Sequence, residues 1–533
     1  MASEEAKVIE AENSTEVLTA FNRIPYALIN AEASGSTKDI LDELTQICKY
    51  YKVYKKGASF AVEGTNGDYV PAKLKYKMSA SLINKEARFL FAVPPDITVE
   101  PKGDVGKITQ DAKDALTVMN DLVKTVLDAN KFEDALIKAA KDCFIAKRVA
   151  GLVNFNEEDG VTITFLPATQ FIYETKIGNP NVITKFVCFQ IIKNSITLSE
   201  KRIFKKKFVL DADDGKVYLE EAMYDGAGKL IEEVTEFQET FMPMIPAVIF
   251  INDGLTGEDD GESEIEILED DESWYSKLSC ADIDSQRKSM NPTKYTVDME
   301  SNSTKNLSTA AGAFWDLGSD QNLDKPNPQV GLLEPSMNYS SALDVTLKRV
   351  KKSAYEQVDM PDIDSIQATI TSGKALKAIY WGLIVRCKEK MKMWGPQLRA
   401  LVNIIIQGAM VYPNCVAQYI NEPIAPVDYE ITVVQNTPLP EDEIEEKNMD
   451  LAEVESKVMS RKTYMKKWRN LTDDEVDEEL EQIALERQLI EDSSFSATGD
   501  NPPYSNPNPV EEDAPIDEDV EEEEIENEEA ELG

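Results

Sequence analysis

The sequence predicts an α+β protein, and three observations support this fold class. Several long segments repeat apolar residues at steps of three and four, which is typical of amphipathic helices. Short alternating or β-branched runs lie between Leu152 and Phe250, and they predict strands. Hydrophobic residues make up 42% of the chain and charged residues 29%, so most of the chain can fold around apolar cores.

In the first part of the chain, apolar periodicity predicts a helix over Thr37 to Lys55 and two more helices after Asp104. The strands are predicted at Val161 to Leu166, Val182 to Ile192, Lys216 to Glu220 and Ile245 to Ile251. A turn-rich stretch, Asn252 to Gly261, indicates a boundary. Ser263 and Glu266 have capping-box spacing, which predicts a helix from there to about Met290.

The second half continues with a small loop-rich module from Tyr295 to Met337 and a helix over Ser341 to Val358, which ends at Met360-Pro361. The strongest helix opens at Ser372-Gly373 and is about 50 Å long, with a possible bend at Gly395-Pro396. A strand at Tyr429 to Val434 follows. Three acidic helices are predicted next, at Glu445 to Val458, Lys462 to Trp468 and Val476 to Ile490.

The charge balance is strongly acidic, with 98 acidic and 56 basic residues and a net charge of −42. The segment from Ser493 to Gly533 holds 15 acidic residues and no Lys or Arg, and we expect it to be disordered. A body of this sign does not condense onto phosphates by counterion release, so tight wrapping of nucleic acid is not expected. Sliding contact is compatible with this charge.

The chain has no histidine, which removes the commonest general base and the commonest metal ligand. We therefore expect that the protein is not an enzyme and has no cofactor or metal site. Its six cysteines are far apart and include no Cys-x-x-Cys pair, which fits a reducing compartment. The first residues lack a secretory signal, and no apolar run reaches about 18 residues. We therefore expect a soluble protein inside the cell with no membrane partner.

Four segments carry a resemblance to a known family. They are Asn84 to Leu90 with Pro94-Pro95, Pro243 to Phe250, Thr371-Ser372-Gly373-Lys374-Ala375-Leu376, and Ser460 to Tyr464 with Asp473 to Glu486. In this order, and over about residues 80 to 490, the chain resembles the portal (head–tail connector) proteins of tailed bacteriophages of the siphovirus type. The Ser-Gly-Lys-Ala-Leu start of the long helix is the most specific match.

The resemblance implies a portal-type fold with a mixed α/β wing, two helical stem segments, a small α/β clip, a long wing helix and a helical crown. The expected bounds are wing 1–252, linker and first stem helix 253–290, clip 291–340, second stem helix 341–358, tunnel loop 359–371, long wing helix and return strand 372–440, crown 441–492 and disordered acidic tail 493–533.

The resemblance also implies a function. About twelve subunits would form a ring at one capsid vertex, and double-stranded DNA would pass through its channel, without sequence specificity, during packaging and ejection. The implied partners are the terminase large subunit, the major capsid and scaffolding proteins, and a head-completion or adaptor protein. The implied location is the virion, with the host cytoplasm during assembly.

Three groups of candidate site residues follow. The tunnel loop, by resemblance, holds Pro361, Asp362, Ile363, Asp364, Ser365, Ile366, Gln367, Ala368 and Thr369. Lys348, Arg349 and Lys352 project opposite the apolar stripe of the second stem helix, so they are candidates for basic rings that touch DNA. A solvated helix face, or salt bridges to the acidic first stem helix, is the alternative. Phe314 and Trp315 are a candidate clip interface, or else belong to the core of the clip.

Two other functions are compatible with the residues. An acidic scaffold or chaperone would bind basic partners through its tail. A carboxylate–metal nuclease would use Asp362 with Asp364, or Asp473 with Asp474, although such pairs arise by chance in a chain this acidic. No Gly-x-x-x-x-Gly-Lys-Ser/Thr loop is present, so any nucleotide hydrolysis must come from a partner.

Overall fold

The computed structural model describes residues 24, 26–32, 37–61, 70–103, 109–192, 202–254, 261–290, 293–300, 318–320, 322–325, 327–333, 337–362, 373–420, 423–438, 443–469, 475–477 and 479–485. The chain divides into two compact units, Met1–Pro440 and Glu441–Gly533. The predicted tail and most of the predicted tunnel loop lie outside the described residues.

The first unit mixes helices and strands, so the predicted α+β class is confirmed. Its helices are α1 (Tyr26–Glu32), α2 (Thr37–Lys56), α3 (Met78–Phe91), α4 (Gln110–Ala129), α5 (Phe132–Ala146), α6 (Glu264–Met290), α7 (Ser340–Gln357), α8 (Gly373–Ile379), α9 (Trp381–Val411) and α10 (Pro413–Val416). Its strands are β1 (Asp96–Pro101), β2 (Arg148–Asn156), β3 (Gly160–Pro167), β4 (Phe171–Lys176), β5 (Asn179–Ile192), β6 (Arg202–Leu210), β7 (Val217–Asp225), β8 (Leu230–Glu239), β9 (Ala247–Ile251), β10 (Thr293–Val297), β11 (Gln329–Leu333) and β12 (Tyr429–Val434).

The described strands form four antiparallel sheets. Five strands follow one another in the order β4-β5-β6-β7-β8, three are ordered β3-β2-β9, and the pairs β1–β12 and β10–β11 stand as two-stranded sheets. In the central strand β2, Gly151 pairs with both Phe165 and Val248. A methyl group at Gly151 would lie 3.1 Å from Leu401 Cδ1, so glycine lets α9 pack closely on this sheet.

Helix α9 runs through the core of the first unit. It has 31 residues and is therefore about 46 Å long. Its Trp394 is fully buried, with its ring centroid 5.1 Å from that of Phe91 in α3 and 4.5 Å from that of Phe250 in β9. From Leu398 onward α9 is predominantly apolar, so this part can be enclosed by helices on one side and by the three-stranded sheet on the other.

The predicted long helix is interrupted, and the expectation of one continuous helix from Ser372 was wrong at Tyr380. Helix α8 ends at Ile379 and α9 begins at Trp381, with Tyr380 at φ −87° and ψ 7° between them. Hydrogen bonds still cross the interruption, from Tyr380 N to Leu376 O and from Ile384 N to Tyr380 O. The Tyr380 ring stacks on Phe89 at 5.7 Å, a contact that periodicity cannot reveal.

Sequence patterns did not predict strands β1, β2, β4, β6 and β8. In β6 the reason is the run Lys205-Lys206-Lys207, which is unlike a strand of a packed sheet. Its lysines form ion pairs with acidic residues: Lys205 Nζ lies 2.6 Å from Glu32 Oε1, and Lys206 Nζ lies 3.1 Å from Glu221 Oε1. Glu32 ends α1, so this contact also holds α1 on the sheet.

The second unit contains α11 (Glu443–Glu455), α12 (Arg461–Arg469) and further helical residues at 475–477 and 479–485. The predicted helices are confirmed in their described parts, except that α11 ends at Glu455 and not at the predicted Val458: Lys457 has φ +63°, which a helix does not allow. Trp468 Nε1 of α12 donates to Asp450 Oδ2 of α11 at 2.8 Å, and Lys467 Nζ lies 2.8 Å from the same carboxylate. Within the described residues of the chain, no helix is both long enough and apolar enough to cross a membrane.

Candidate functional site

Four charged side chains, three of them buried and the fourth, Arg386, partly buried, join three helices at the start of α6. We call them the ion cluster: Glu86 of α3, Glu264 of α6, and Arg386 and Lys390 of α9. Arg386 Nε donates to Glu86 Oε1 at 2.8 Å, and Arg386 Nη2 donates to Glu264 Oε2 at 2.6 Å. Lys390 Nζ contacts Glu264 and lies 3.3 Å from Glu86 Oε1. The two positive and two negative charges balance, which is the condition for burying them together.

Further polar groups complete the ion cluster. Lys390 Nζ donates to Asn252 Oδ1 at 2.8 Å, and it lies 4.0 Å from the centroid of the Phe144 ring. Asn252 Nδ2 donates to the Glu262 carbonyl oxygen at 2.8 Å. The residues on both sides of the turn-rich stretch 252–261 therefore meet in the same compact unit.

The charges around Glu264 decide how the ion cluster titrates. Burial raises the pKa of Glu264, but Lys390 and Arg386 outweigh burial and lower the pKa to about 2. Burial and the negative charge of Glu264 raise the pKa of Glu86. Burial lowers the pKa of Lys390, but Glu264 and Glu86 outweigh it and raise this pKa. The cluster is therefore one coupled group, with its strongest attraction at Glu264.

The start of α6 differs from the capping box that the sequence predicts. Ser263 Oγ accepts from Ile265 N at 3.2 Å and donates to the Ile145 carbonyl oxygen at 2.6 Å. Glu266 does not return to the Ser263 backbone in this structure; its Oε2 accepts from the Tyr50 hydroxyl at 2.8 Å. Half of the predicted cap is therefore wrong, because a tertiary partner takes the carboxylate.

Gly261 lets the chain enter α6 through a narrow space. Its φ is +79°, a conformation that favours glycine, and an added Cβ would lie 2.3 Å from the Asn252 carbonyl oxygen. The turn therefore places Glu264 in the ion cluster only when this position is a glycine.

An extended segment, residues 70–77, lies along α6, and we call it the strap. Its alternate backbone N–H groups donate to α6 side chains: Ala72 N to Asp284 Oδ1 at 3.0 Å, Leu74 N to Cys280 Sγ at 3.1 Å, and Tyr76 N to Ser276 Oγ at 3.1 Å. The next α6 residue in the series, Glu272, is fully buried and accepts from Ala58 N and Ser79 N at 2.8 Å each.

The spacing of these contacts follows from two periodicities. Four helical residues rise about 6.0 Å, and two extended residues advance about 6.6 Å. Positions 272, 276, 280 and 284 of α6 therefore stay nearly in step with every second residue of the strap. Sequence patterns do not predict this arrangement, because a stripe of Glu, Ser, Cys and Asp has no apolar periodicity.

Helix α7 packs antiparallel on another side of α6. The Tyr339 hydroxyl, just before α7, donates to Asp282 Oδ1 at 3.3 Å, and Gln357 Nε2 at its far end donates to Asp271 Oδ2 at 3.1 Å. Along the predicted apolar stripe of α7, Ala354 and Val358 are buried, and Leu343, Leu347 and Val350 are partly buried. The stripe therefore faces the body of the unit.

The three predicted basic residues of α7, Lys348, Arg349 and Lys352, are all exposed. Lys352 Nζ lies 3.3 Å from Glu356 Oε1, one turn further along the same helix, and both side chains are about two-thirds exposed. An ion pair this exposed contributes little, about 0.3–0.5 kcal/mol. The structure thus brings these cations together on one open helix face.

Of the nine candidate residues of the predicted tunnel loop, the structure describes Pro361 and Asp362. The others, Ile363, Asp364, Ser365, Ile366, Gln367, Ala368 and Thr369, lie outside the described residues. The described start is held firmly. Met360 is buried and its N–H donates to the Tyr355 carbonyl oxygen at 2.9 Å. Lys351 Nζ of α7 lies 3.3 Å from Asp362 Oδ1. The loop therefore begins at a fixed point beside α7.

Between α6 and α7, β10 and β11 form a two-stranded antiparallel sheet in which Tyr295 pairs with Gly331. Phe314 and Trp315 lie outside the described residues, so their proposed interface has no structural account here. Asp364, Asp473 and Asp474 also lie outside them. Over the part of the chain that is described, no three His, Cys, Asp or Glu residues are grouped so that they could hold a metal ion.

The fold and this site define a class: an α+β protein organised around an antiparallel helix pair that is anchored in a buried ion cluster. A family model described as "Phage portal protein, SPP1 Gp6-like" matches residues 35–492. The match covers most of the chain, so this protein belongs to the SPP1 Gp6-like family of phage portal proteins. Its role in the virion is structural and not enzymatic.

Other comparisons add little. No curated protein sequence matches the chain. Among solved structures, one described as "Neck of native GTA particle computed with C12 symmetry" is similar over 73% of this chain and 88% of that chain, with 8% sequence identity and a TM-score of 0.33. The family membership sets aside the scaffold and nuclease alternatives, which no described residue supports.

Replacing Lys390 with Met should destabilise the first unit by about 3–5 kcal/mol, because Glu86 and Glu264 would keep buried charge with one cation fewer. The double variant Glu264→Gln/Lys390→Met removes one charge of each sign and should recover part of this loss. Denaturant unfolding of both variants measures the difference. Equal stability of Lys390→Met and the parent protein would contradict a coupled ion cluster.

Acid should weaken the ion cluster in a defined window. Because the pKa of Glu264 is lowered on folding, its contribution to stability is complete above about pH 4.5 and is lost as pH falls toward about pH 2. Glu264→Gln should therefore show a smaller loss of stability than the parent between these pH values. Glu266→Gln, which changes an exposed carboxylate, should keep the parent's pH dependence. Identical acid profiles for Glu264→Gln and the parent would refute the assignment.

Asp284→Ala should release one end of the strap, because the Ala72 N–H loses its acceptor, at a cost of about 1 kcal/mol. Hydrogen exchange should become faster at the Ala72 and Leu74 amides and stay unchanged in α9. Asp282→Ala, which changes a neighbouring acid that does not touch the strap, is the matched control. Unchanged exchange at Ala72 in Asp284→Ala would mean that the side-chain contacts do not hold the strap.

Proposed function

We propose that about twelve copies of this chain form a closed ring at one capsid vertex, and that double-stranded DNA passes through its channel during packaging and ejection. The proposal rests on the portal family match together with one observation, the exposed basic face of α7. A cyclic arrangement converts each of Lys348, Arg349 and Lys352 into a ring of like charges. Such rings would touch phosphates without reading sequence.

The overall charge explains why contact with DNA would be weak. The chain carries a net charge of −42, so the charge of the protein as a whole repels phosphate. Three cations per copy against this background attract the duplex locally but do not retain it. A conduit that must pass DNA in both directions needs this balance.

The parts of the chain take the following proposed roles: wing 1–252, linker and first stem helix 253–290, clip 291–340, second stem helix 341–358, tunnel loop 359–371, long wing helix and return strand 372–440, crown 441–492 and tail 493–533. In this scheme α6 and α7 form the stem, and the loop that begins at Pro361 and Asp362 narrows the channel. The firm anchoring of Met360 and the contact of Lys351 with Asp362 support this role, because a constriction needs a fixed base.

A DNA channel at a capsid vertex requires partners that bring DNA to it, close it and hold it in the capsid. The terminase large subunit and a head-completion or adaptor protein would dock on the ring, with Phe314 and Trp315 as candidate contacts of the clip. The major capsid and scaffolding proteins would surround the ring, which would assemble in the host cytoplasm.

The triple variant Lys348→Glu/Arg349→Glu/Lys352→Glu should still form rings but should retain much less DNA in an in vitro packaging assay, because the channel face changes from attractive to repulsive. The matched control is Lys113→Glu/Lys124→Glu/Lys392→Glu, which makes the same charge change on exposed lysines of α4 and α9. Normal DNA retention by the α7 variant, with rings intact by negative-stain microscopy, would refute the channel role of this face. Absence of rings in the parent protein would refute the assembly itself.

A further inference from the structure

Helix α12 has an unusual composition for this chain. Its nine residues, Arg461–Arg469, include five cations and no acid, whereas the whole chain has 98 acidic and 56 basic residues. No residue of α12 is buried. Its cations are therefore not explained by the core of the second unit.

Three of these cations form one stripe. Lys462, Lys466 and Arg469 are spaced at i, i+4 and i+7, which places them on one side of a helix over about 10 Å. The residues after α12 supply acids to this stripe. Lys462 Nζ lies 2.7 Å and 2.9 Å from the two carboxylate oxygens of Asp477, and Arg469 Nη1 lies 3.2 Å from Glu479 Oε1. An acidic segment of the same unit thus neutralises the stripe.

The ion pairs that neutralise the stripe are exposed to solvent, so another anion can replace their carboxylates. The side chains of Lys462 and Asp477 are 39% and 61% exposed, and those of Arg469 and Glu479 are 60% and 38% exposed. Ion pairs with this exposure contribute little to stability and are screened by salt. A denser array of negative charge can therefore replace the carboxylates without opening a core.

Duplex DNA offers such an array. It carries one negative charge for each ~3.4 Å of axis on each strand, so about three phosphates of one strand lie along the length of this stripe, and neutralising phosphates also releases condensed counterions. The two separate carboxylates of Asp477 and Glu479 hold no condensed counterions to release. Competition between the DNA phosphates and these carboxylates for the cations of the stripe therefore favours DNA at low ionic strength.

We propose that the Lys462, Lys466 and Arg469 stripe of α12 is a second DNA-contacting surface, which binds the phosphate backbone of duplex DNA in competition with Asp477 and Glu479. This inference concerns the second unit alone and is separate from the proposed channel face on α7. The contact is independent of base sequence, because it involves phosphates only. Its affinity is limited by the acids that share the same cations, so the contact is reversible.

The test measures binding of the full-length protein to a fluorescein-labelled 30-base-pair duplex by anisotropy, over a range of salt concentrations. Lys462→Gln/Lys466→Gln/Arg469→Gln should weaken binding about tenfold and reduce the slope of log affinity against log salt by about two to three units, because each phosphate contact contributes about 0.9. Lys73→Gln/Lys113→Gln/Lys124→Gln makes the same charge change on exposed lysines of the first unit and should have a much smaller effect.

A second variant guards against simple misfolding. Asp477→Asn/Glu479→Gln removes the competing carboxylates and should tighten DNA binding about threefold or more, a gain that an unfolded helix would not produce. Circular dichroism checks that helix content is retained. Equal affinity of the α12 triple variant and its control would overturn the proposal, and so would unchanged or weaker binding by Asp477→Asn/Glu479→Gln. If the α7 substitutions weakened DNA binding and the α12 substitutions did not, the channel proposal would stand and this one would be refuted.

Discussion

The buried pairing of Glu86 and Glu264 with Arg386 and Lys390 is the constraint on which the rest of the first unit depends. Charges this deeply enclosed are tolerated only when each finds its opposite. The four residues come from helices far apart in sequence, since Glu86 and Arg386 are separated by 300 positions. Neutrality therefore fixes α3, α9 and the first turn of α6 against one another.

Other contacts connect the ion cluster to the rest of α6 and to α7. The strap contacts α6 along three successive turns, and α7 returns along a different side of α6. At the end of α7, buried Met360 brings the chain back to the core before Asp362. The exposed cations of α7 thus lie on a helix that contacts α6 near both of its ends. In the proposed ring, this helix would line the channel, and its contacts with α6 do not involve the loop that follows.

Periodicity was sufficient to predict most helices, and the order of motifs was sufficient to suggest the family, which the match over residues 35–492 confirms. What failed were features decided by partners distant in sequence. Lys205 to Lys207 form a strand only because Glu32, Glu220 and Glu221 neutralise them. Glu266 accepts a hydrogen bond from the Tyr50 hydroxyl and does not form the predicted cap, and the helix break at Tyr380 accompanies stacking of its ring on Phe89. The cations of α7 could be predicted, because an apolar stripe defines the opposite face. The ion cluster could not, because its members share no local pattern.

A cryo-electron microscopy reconstruction of the purified full-length protein, at a resolution that shows side chains, tests the central claim most directly. The account predicts a closed ring in which each α6 begins at an intact ion cluster, and in which Lys348 and Lys352 point to the central axis. Particles without an axis of rotation, or a ring in which this face of α7 is covered by the neighbouring copy, would contradict it.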